Sequence, residues 1–277
     1  MTFPTTSDIF ERVDNIGLLV RHGFDVAWAY ERLGFAPCPL GRQTARPVGE
    51  DPVPQGTGSR CLNFARNGYI ELIGIVEPDL ATSGYAARLA NDGPGPAKIT
   101  LGWNDADDGI VRLAERGQAA FGPSRYDRTL TIDGESVTSE MELTGLDAPI
   151  DPLMAVATRH RQPARTFHPR TTAHPNGAVG LGSIRLHCPD PAGVMAALGA
   201  PDTPMLRFPG GGCLEIEPTS STTTSIASIG VDVVDLRHVD ELLRRGDVST
   251  EHDTNRIRVI PDHEGAVPIE FRSLYDV

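Results

Sequence analysis

Arg60-Cys61-Leu62-Asn63-Phe64-Ala65, then Asn67-Gly68, then Tyr69-Ile70-Glu71-Leu72-Ile73-Gly74-Ile75: two apolar runs meet at an Asn-Gly pair. Both turn residues tolerate positive φ, so the stretch predicts a β-hairpin. Working back from it, a Pro-rich loop (Pro47, Pro52, Pro54) precedes the first run, and a helix is expected over residues 24–33. Asp25 sits near the start of that helix, Trp28 and Leu33 are among its apolar residues, and Gly34 stops it. Before it, Asp14-Asn15-Ile16-Gly17-Leu18-Leu19-Val20 is a short apolar run that reads as a strand. The unit is β-α-loop-β-β.

The same order recurs downstream. Residues 99–103 read as a strand, and 107–116 as a helix with Ile110, Val111 and Leu113 on its apolar side. Residues 128–133 and 136–143 form a hairpin about Asp133-Gly134. Beyond a Pro- and Arg-rich connector at 147–177, a third unit runs through strand 182–186, helix 192–198, residues 205–208 and strand 213–217. After a Ser/Thr run at 219–225, the fourth has strand 229–234, helix 239–245, strand 256–260, a turn at 262–265 and strand 267–271. A repeat of roughly 40 to 80 residues decides the architecture, because one such unit cannot cover its own sheet face and must pair with another. The length of 277 residues suits two domains. They are placed at 1–146 and 178–277, two units in each, those of the second shorter.

Composition narrows the function classes. With 37 acids against 25 bases the net charge is −12, so a concentrated basic face for nucleic acid or anionic membrane is not expected. The cysteines Cys38, Cys61, Cys188 and Cys213 form no CxxC pair, which argues against a zinc knot or a disulfide framework. The N-terminal residues lack a basic start and an apolar core, and no run reaches the ~18 apolar residues of a membrane span; the cytoplasm is the expected compartment. Pro209-Gly210-Gly211-Gly212 precedes a strand rather than a helix, and neither a P-loop nor a GxSxG elbow occurs, so ATP and dinucleotide cofactors are not implied.

Each unit also carries a glutamate between apolar neighbours near its end: Tyr69-Ile70-Glu71-Leu72, Glu140-Met141-Glu142-Leu143, Cys213-Leu214-Glu215-Ile216 and Pro268-Ile269-Glu270-Phe271. Together with Gly56-Thr57-Gly58-Ser59-Arg60 and His174-Pro175-Asn176-Gly177-Ala178, these resemble the vicinal-oxygen-chelate superfamily of glyoxalases, bleomycin-resistance proteins and dioxygenases, in its glyoxalase-like domain branch. The resemblance covers about residues 13–271. It implies an α+β fold of four tandem βαβββ modules, paired into cup-shaped mixed sheets that hold a small organic molecule.

Enzymes of that superfamily hold a divalent metal with a His or Glu early in each module's first strand and a Glu in its last. This chain offers Asn15, Lys98, Ser183 and Ser228 at the first position, none of them an imidazole or carboxylate. No cofactor is therefore expected, with a divalent metal left open should the connector histidines His160, His168 and His174 meet a glutamate in space. The Gly-Thr loop, often Gly-Thr-His-Asn in this branch, here reads Gly56-Thr57-Gly58-Ser59.

The resemblance makes Glu71, Asn15 and Glu270 the candidate catalytic residues, a cup glutamate acting as base next to a carbonyl with Asn15 or an arginine as oxyanion partner. Arg60, Tyr69, His174, Asn176, Arg185 and Glu215 are candidate ligand contacts. The plainer reading of the glutamates is that they point to water from an open sheet. The alternative function is a sequestering, resistance-type protein without catalysis; a buried glutamate with a raised pKa beside a polar partner would favour the enzyme, and a cup with aromatic and apolar walls and no convergent ionisable pair the binder. The partner is a small molecule, and a homodimer is left open.

Overall fold

The computed structural model describes residues 5–21, 26–46, 51–80, 84–200 and 203–275. After β1 (Thr5–Thr6), the first module comprises β2 (Phe10–Leu19), α1 (Ala27–Glu31), β3 (Gly41–Arg46), β4 (Val53–Asn63) and β5 (Tyr69–Ile75). A short helix α2 (Gly84–Asn91) leads to the second: β6 (Gly95–Trp103), α3 (Ala106–Glu115), β7 (Ala120–Ile132), β8 (Glu135–Leu146) and β9 (Met154–His160). After α4 (Pro163–Thr166), the third has β10 (Ala178–Cys188), α5 (Pro191–Ala197), β11 (Met205–Arg207) and β12 (Cys213–Pro218). The fourth has β13 (Ser225–Val233), α6 (Leu236–Arg245), β14 (Glu251–Asp253), β15 (Arg256–Val259) and β16 (Ile269–Ser273). The expected α+β fold of paired modules is therefore present.

Modules one and two close into an eight-stranded barrel in the order β2-β5-β4-β3-β7-β8-β9-β6, while the seven strands of three and four, with β1 at one edge, form an open eight-stranded sheet. Asn-Gly and Asp-Gly turn where expected: Gly68 has φ 61°, and Asp133 and Gly134 have φ 51° and 85°.

Three expectations need correction. The span read as connector contains β9, which pairs with β6 in parallel and with β8 antiparallel and so completes the barrel. The second module therefore closes on Met154–His160, and Glu142 lies one strand earlier, held by Arg125, Arg159 and Arg161 outside the cavity. The third module has only two strands after its helix; β1, from the chain's start, pairs in parallel with β11 at that edge. Of the first predicted helix, Phe24 and Asp25 lie outside the described residues, as does Pro47; the described part is Ala27–Glu31.

One apolar core runs through both halves, joining Ile16, Leu18, Ile70, Leu72 and Ile99 of the barrel with Ile184, Leu186, Val231 and Phe271 of the open sheet. Strand alternation sends these side chains outward and leaves Asn15, Gly17, Tyr69 and Glu71 facing the barrel interior. Buried on both faces, β2 and β5 read as near-continuous apolar runs, which is why their pattern is so plain in the sequence.

Candidate functional site

The barrel encloses a cavity of about 440 Å³, lined among others by Glu71 of β5, Lys98 of β6, Arg128 of β7 and Tyr85 of α2. Met141 and Leu143 of β8 and Met154 and Val156 of β9 supply an apolar wall. Because β8 and β9 bring alternate residues inward, these two strands contribute mainly hydrophobic surface, whereas β3 to β7 carry the polar and charged groups.

Lys98 is the one lysine in a chain whose other basic side chains, histidine apart, are all arginine. Its Nζ lies 2.9 Å from Glu71 Oε2, both side chains being almost wholly buried. The register explains the contact: Gly17 of β2 pairs with Glu71 on one side and Lys98 on the other. A Cβ at position 17 would lie 2.7 Å from Lys98 Cγ and 2.8 Å from its Cε. Glycine thus leaves a lane along which the slim lysine stem reaches across the strand.

Gln43 Nε2 donates to Glu71 Oε1 at 3.0 Å, and Thr57 Oγ1 donates to Gln43 Oε1 at 2.7 Å, fixing the carboxylate's orientation. Burial works against Glu71's charge, but Lys98 and Arg128 more than offset it and hold the carboxyl below its ordinary value. Burial likewise opposes Lys98's charge, and Glu71 overcomes it, so the amine stays protonated. Burial raises the Tyr85 phenol.

Arg128 is the second cation of this interior, and its side chain is only 1% exposed. Its stem crosses Gly41, where a Cβ would lie 2.7 Å from Arg128 Cγ, and its guanidinium lies 5.2 Å from the Tyr69 ring centroid. Nη1 donates to Cys61 Sγ. Cys38 Sγ in turn accepts the Cys61 backbone N–H at 3.0 Å. The hydrogen bond with the Cys61 thiol, and then the Arg128 charge, outweigh burial and bring the Cys38 thiol down to about 6, whereas burial pushes the Cys61 thiol up.

The candidates from sequence divide among three places. Glu71 lines the cavity. Asn15 and Tyr69 lie deeper: Asn15 Nδ2 donates to Tyr69 Oη at 3.1 Å and to Asp14 Oδ2 at 3.2 Å, and Thr100 Oγ1 donates to Asn15 Oδ1 at 3.2 Å. With its amide spent on neighbours, Asn15 is a structural group rather than an oxyanion partner. Beside them, His160 Nε2 lies 3.0 Å from both oxygens of Asp14, a buried pair with no part in the cavity.

Arg60 alternates to the other face of β4 from Thr57 and Cys61 and is not in the cavity. His174 accepts the Ala36 N–H on Nδ1 at 3.0 Å and donates from Nε2 to Asn63 O at 2.8 Å, so both ring nitrogens hold backbone. Asn176 donates to Leu33 O at 2.9 Å and accepts from Ala178 N at 3.0 Å. Both strap the connector to the first module instead of facing a ligand.

Arg185, Glu215 and Glu270 do meet, but on the open sheet, where Arg185 lies 3.1 Å from Glu215 and 3.6 Å from Glu270. Sequence reasoning missed Lys98 as a site residue, Arg128, and Tyr85; glycines inside strands opposite basic residues were the available signal for the two cations.

The residues present do not fit a divalent metal at the superfamily's ligand positions. By register, with Ile16 opposite Ile99, Asn15 and Lys98 are equivalent, as are Glu71 and Val156. The set is an amide, an ammonium, a carboxylate and an alkyl group, and the ammonium repels a second cation. The open sheet repeats the outcome: Ser183 and Ser228 offer hydroxyls, and Arg185 lies between the closing glutamates. No group of three or more His, Cys, Asp or Glu placed to hold a metal occurs among the described residues.

Tandem βαβββ modules paired within one chain define the vicinal-oxygen-chelate class of fold. The family model described as "Glyoxalase-like domain" matches residues 13–201, and the chain belongs to that family. No curated protein matches the sequence. Among solved structures, a hypothetical protein from Staphylococcus aureus aligns at TM-score 0.62 and 12% identity, over 95% of this chain and 99% of that one. A mutant of 4-hydroxymandelate synthase from Streptomyces coelicolor aligns at 0.55 and 14%, over 96% and 93%. A Mn(II)-bound glyoxalase from Novosphingobium aromaticivorans aligns at 0.53 and 14%, over 96% and 82%. At these identities the likeness is one of fold.

Proposed function

We propose that this protein binds a small, partly apolar organic molecule in the barrel cavity without a metal, and holds it rather than converting it. The observation that carries the reading is the Lys98–Glu71 pair, a cation and its counter-ion where the superfamily's enzymes gather metal ligands. An enzyme using Glu71 as its base needs a carboxylate with raised proton affinity. Lys98 and Arg128 give it the opposite, which favours sequestration over the lyase or isomerase alternative. The cavity's size falls within the range of small-molecule sites, and its apolar wall fits an organic ligand body. Four free, buried thiols suit the reducing cytoplasm.

The test is ligand screening by thermal shift on chelator-treated protein, with Val156→Trp as the filled-cavity control and mass spectrometry of the recovered ligand. Binding that survives chelation, is lost in Val156→Trp and returns the ligand unchanged is expected. Binding that requires added metal, persists undiminished in the filled cavity, or yields product overturns the reading.

A further inference from the structure

The cations and carboxylates lining the cavity do not pair off one to one, and the mismatch lies at one side chain. Glu71 is matched by Lys98 at 2.9 Å and Asp127 by Arg46 at 2.5 Å. Arg88 of α2 donates to Ala97 O at 2.7 Å and to Pro96 O at 3.3 Å, with Asp92 3.8 Å away. Arg128 alone of the lining cations has no carboxylate partner within 4.0 Å among the described residues. It is also the most deeply buried of them.

Its unmatched atoms are specific. Nη1 is directed at Cys61, whereas Nε and Nη2 are buried and without a hydrogen-bond partner among the described residues. Nε–H and Nη2–H form the side edge of the guanidinium, two parallel donors spaced to meet the two oxygens of a carboxylate. Tyr69 lies beneath the plane and Gly41 beneath the stem. A buried cation whose bidentate edge is unpaired is a costly arrangement unless an anion completes it.

We propose that the ligand of this cavity is an organic carboxylate, its carboxyl group paired with the guanidinium of Arg128, whose shielded Nε/Nη2 edge turns toward the cavity on binding, and its apolar body packed against Met141, Leu143, Met154 and Val156. The inference rests on the reading of the cavity as a ligand site. Lys98 does not compete for the anion, because Glu71 already neutralises it. The division of labour follows: β7 reads charge, and β8 and β9 read shape.

The experiment compares 3-phenylpropanoate with its neutral isostere 3-phenylpropanamide by titration calorimetry and thermal shift, on the wild-type chain and on Arg128→Gln and Arg128→Lys. The acid is expected to bind at least tenfold more tightly than the amide to the wild type. Arg128→Gln should bring acid and amide within about twofold of each other. Arg128→Lys should fall between, since it keeps the charge and loses the fork. Equal binding of acid and amide by the wild type overturns the carboxylate assignment, as does a tenfold preference that survives in Arg128→Gln. If no acid binds while neutral compounds do, the assignment fails and the cavity reading stands; if nothing that binds is lost in Val156→Trp, both fail. Should Arg128→Gln not fold, the wild-type comparison and Arg128→Lys still decide.

Discussion

The Lys98–Glu71 pair is an energetic commitment made by two side chains, because removing either partner leaves a buried charge without its counter-ion. Lys98→Ala is expected to cost about 3–5 kcal/mol in urea unfolding, whereas Lys98→Met combined with Glu71→Gln should recover most of that loss. Acid should expose the same dependence. Glu71's folded pKa lies below its ordinary 4.5, so the unfolded chain takes up the proton first. Its contribution is fully present above about pH 4.5 and is lost as pH falls through the folded value. Asp14, held far below its usual range despite burial by His160 and Arg12, adds to the same acid limb. A stability profile of Lys98→Ala should show a weaker loss below pH 4.5 than the wild type. Glu71 was legible in the sequence because a glutamate between apolar neighbours in a strand is conspicuous; its partner was not, since nothing local tells a basic residue which strand its side chain will cross.

At the scale of elements, glycine in a strand marks where a cationic stem crosses: Lys98 over Gly17, Arg128 over Gly41 and Arg12 over Gly102. Gly17→Ala should displace Lys98 and cost roughly 1–3 kcal/mol through overpacking, measured by denaturant midpoint. Helix α3 owes its start to Asp105, whose side chain accepts from the backbone N–H groups of Asp107 and Asp108, both at 3.0 Å. Asp105→Ala should cost about 1 kcal/mol. His174, which ties the connector to the first module, has its pKa lowered by burial. Its stabilising effect is complete above pH 6.5 and declines as the pH falls toward its folded value. His174→Gln should flatten the thermal midpoint between pH 7.5 and 5, where the wild type declines. The strands and turns of three modules were readable from period and Asn-Gly or Asp-Gly signals. Strand β9 was not, because the flanking Pro and Arg residues gave its short apolar run, Met154-Ala155-Val156-Ala157, the look of a loop.

Across the whole molecule the two halves share a core and are also stitched at Asn67, the first residue of the decisive turn. Leu181 N donates to Asn67 Oδ1 at 2.7 Å, and Asn67 Nδ2 donates to Leu181 O and Gly211 O, both at 3.3 Å. Unfolding should therefore be a single transition by calorimetry; two resolved transitions would contradict the shared core. Asn67→Ala should lower the midpoint by leaving the Leu181 N–H buried and unpaired, about 1–3 kcal/mol. The pairing of Thr5 and Thr6 with Leu206 and Arg207 also bears on the order of events during synthesis. The barrel strands lie between Phe10 and His160, so the barrel can close while translation continues. The edge pairing cannot. Thr5 and Thr6 must wait for a partner some 200 residues later, a delay of roughly 10–40 s at ~5–20 residues per second. The ribosome thus delivers a barrel ready to fold with its neighbour still unmade, and Thr5 and Thr6 are among the last residues to find their place.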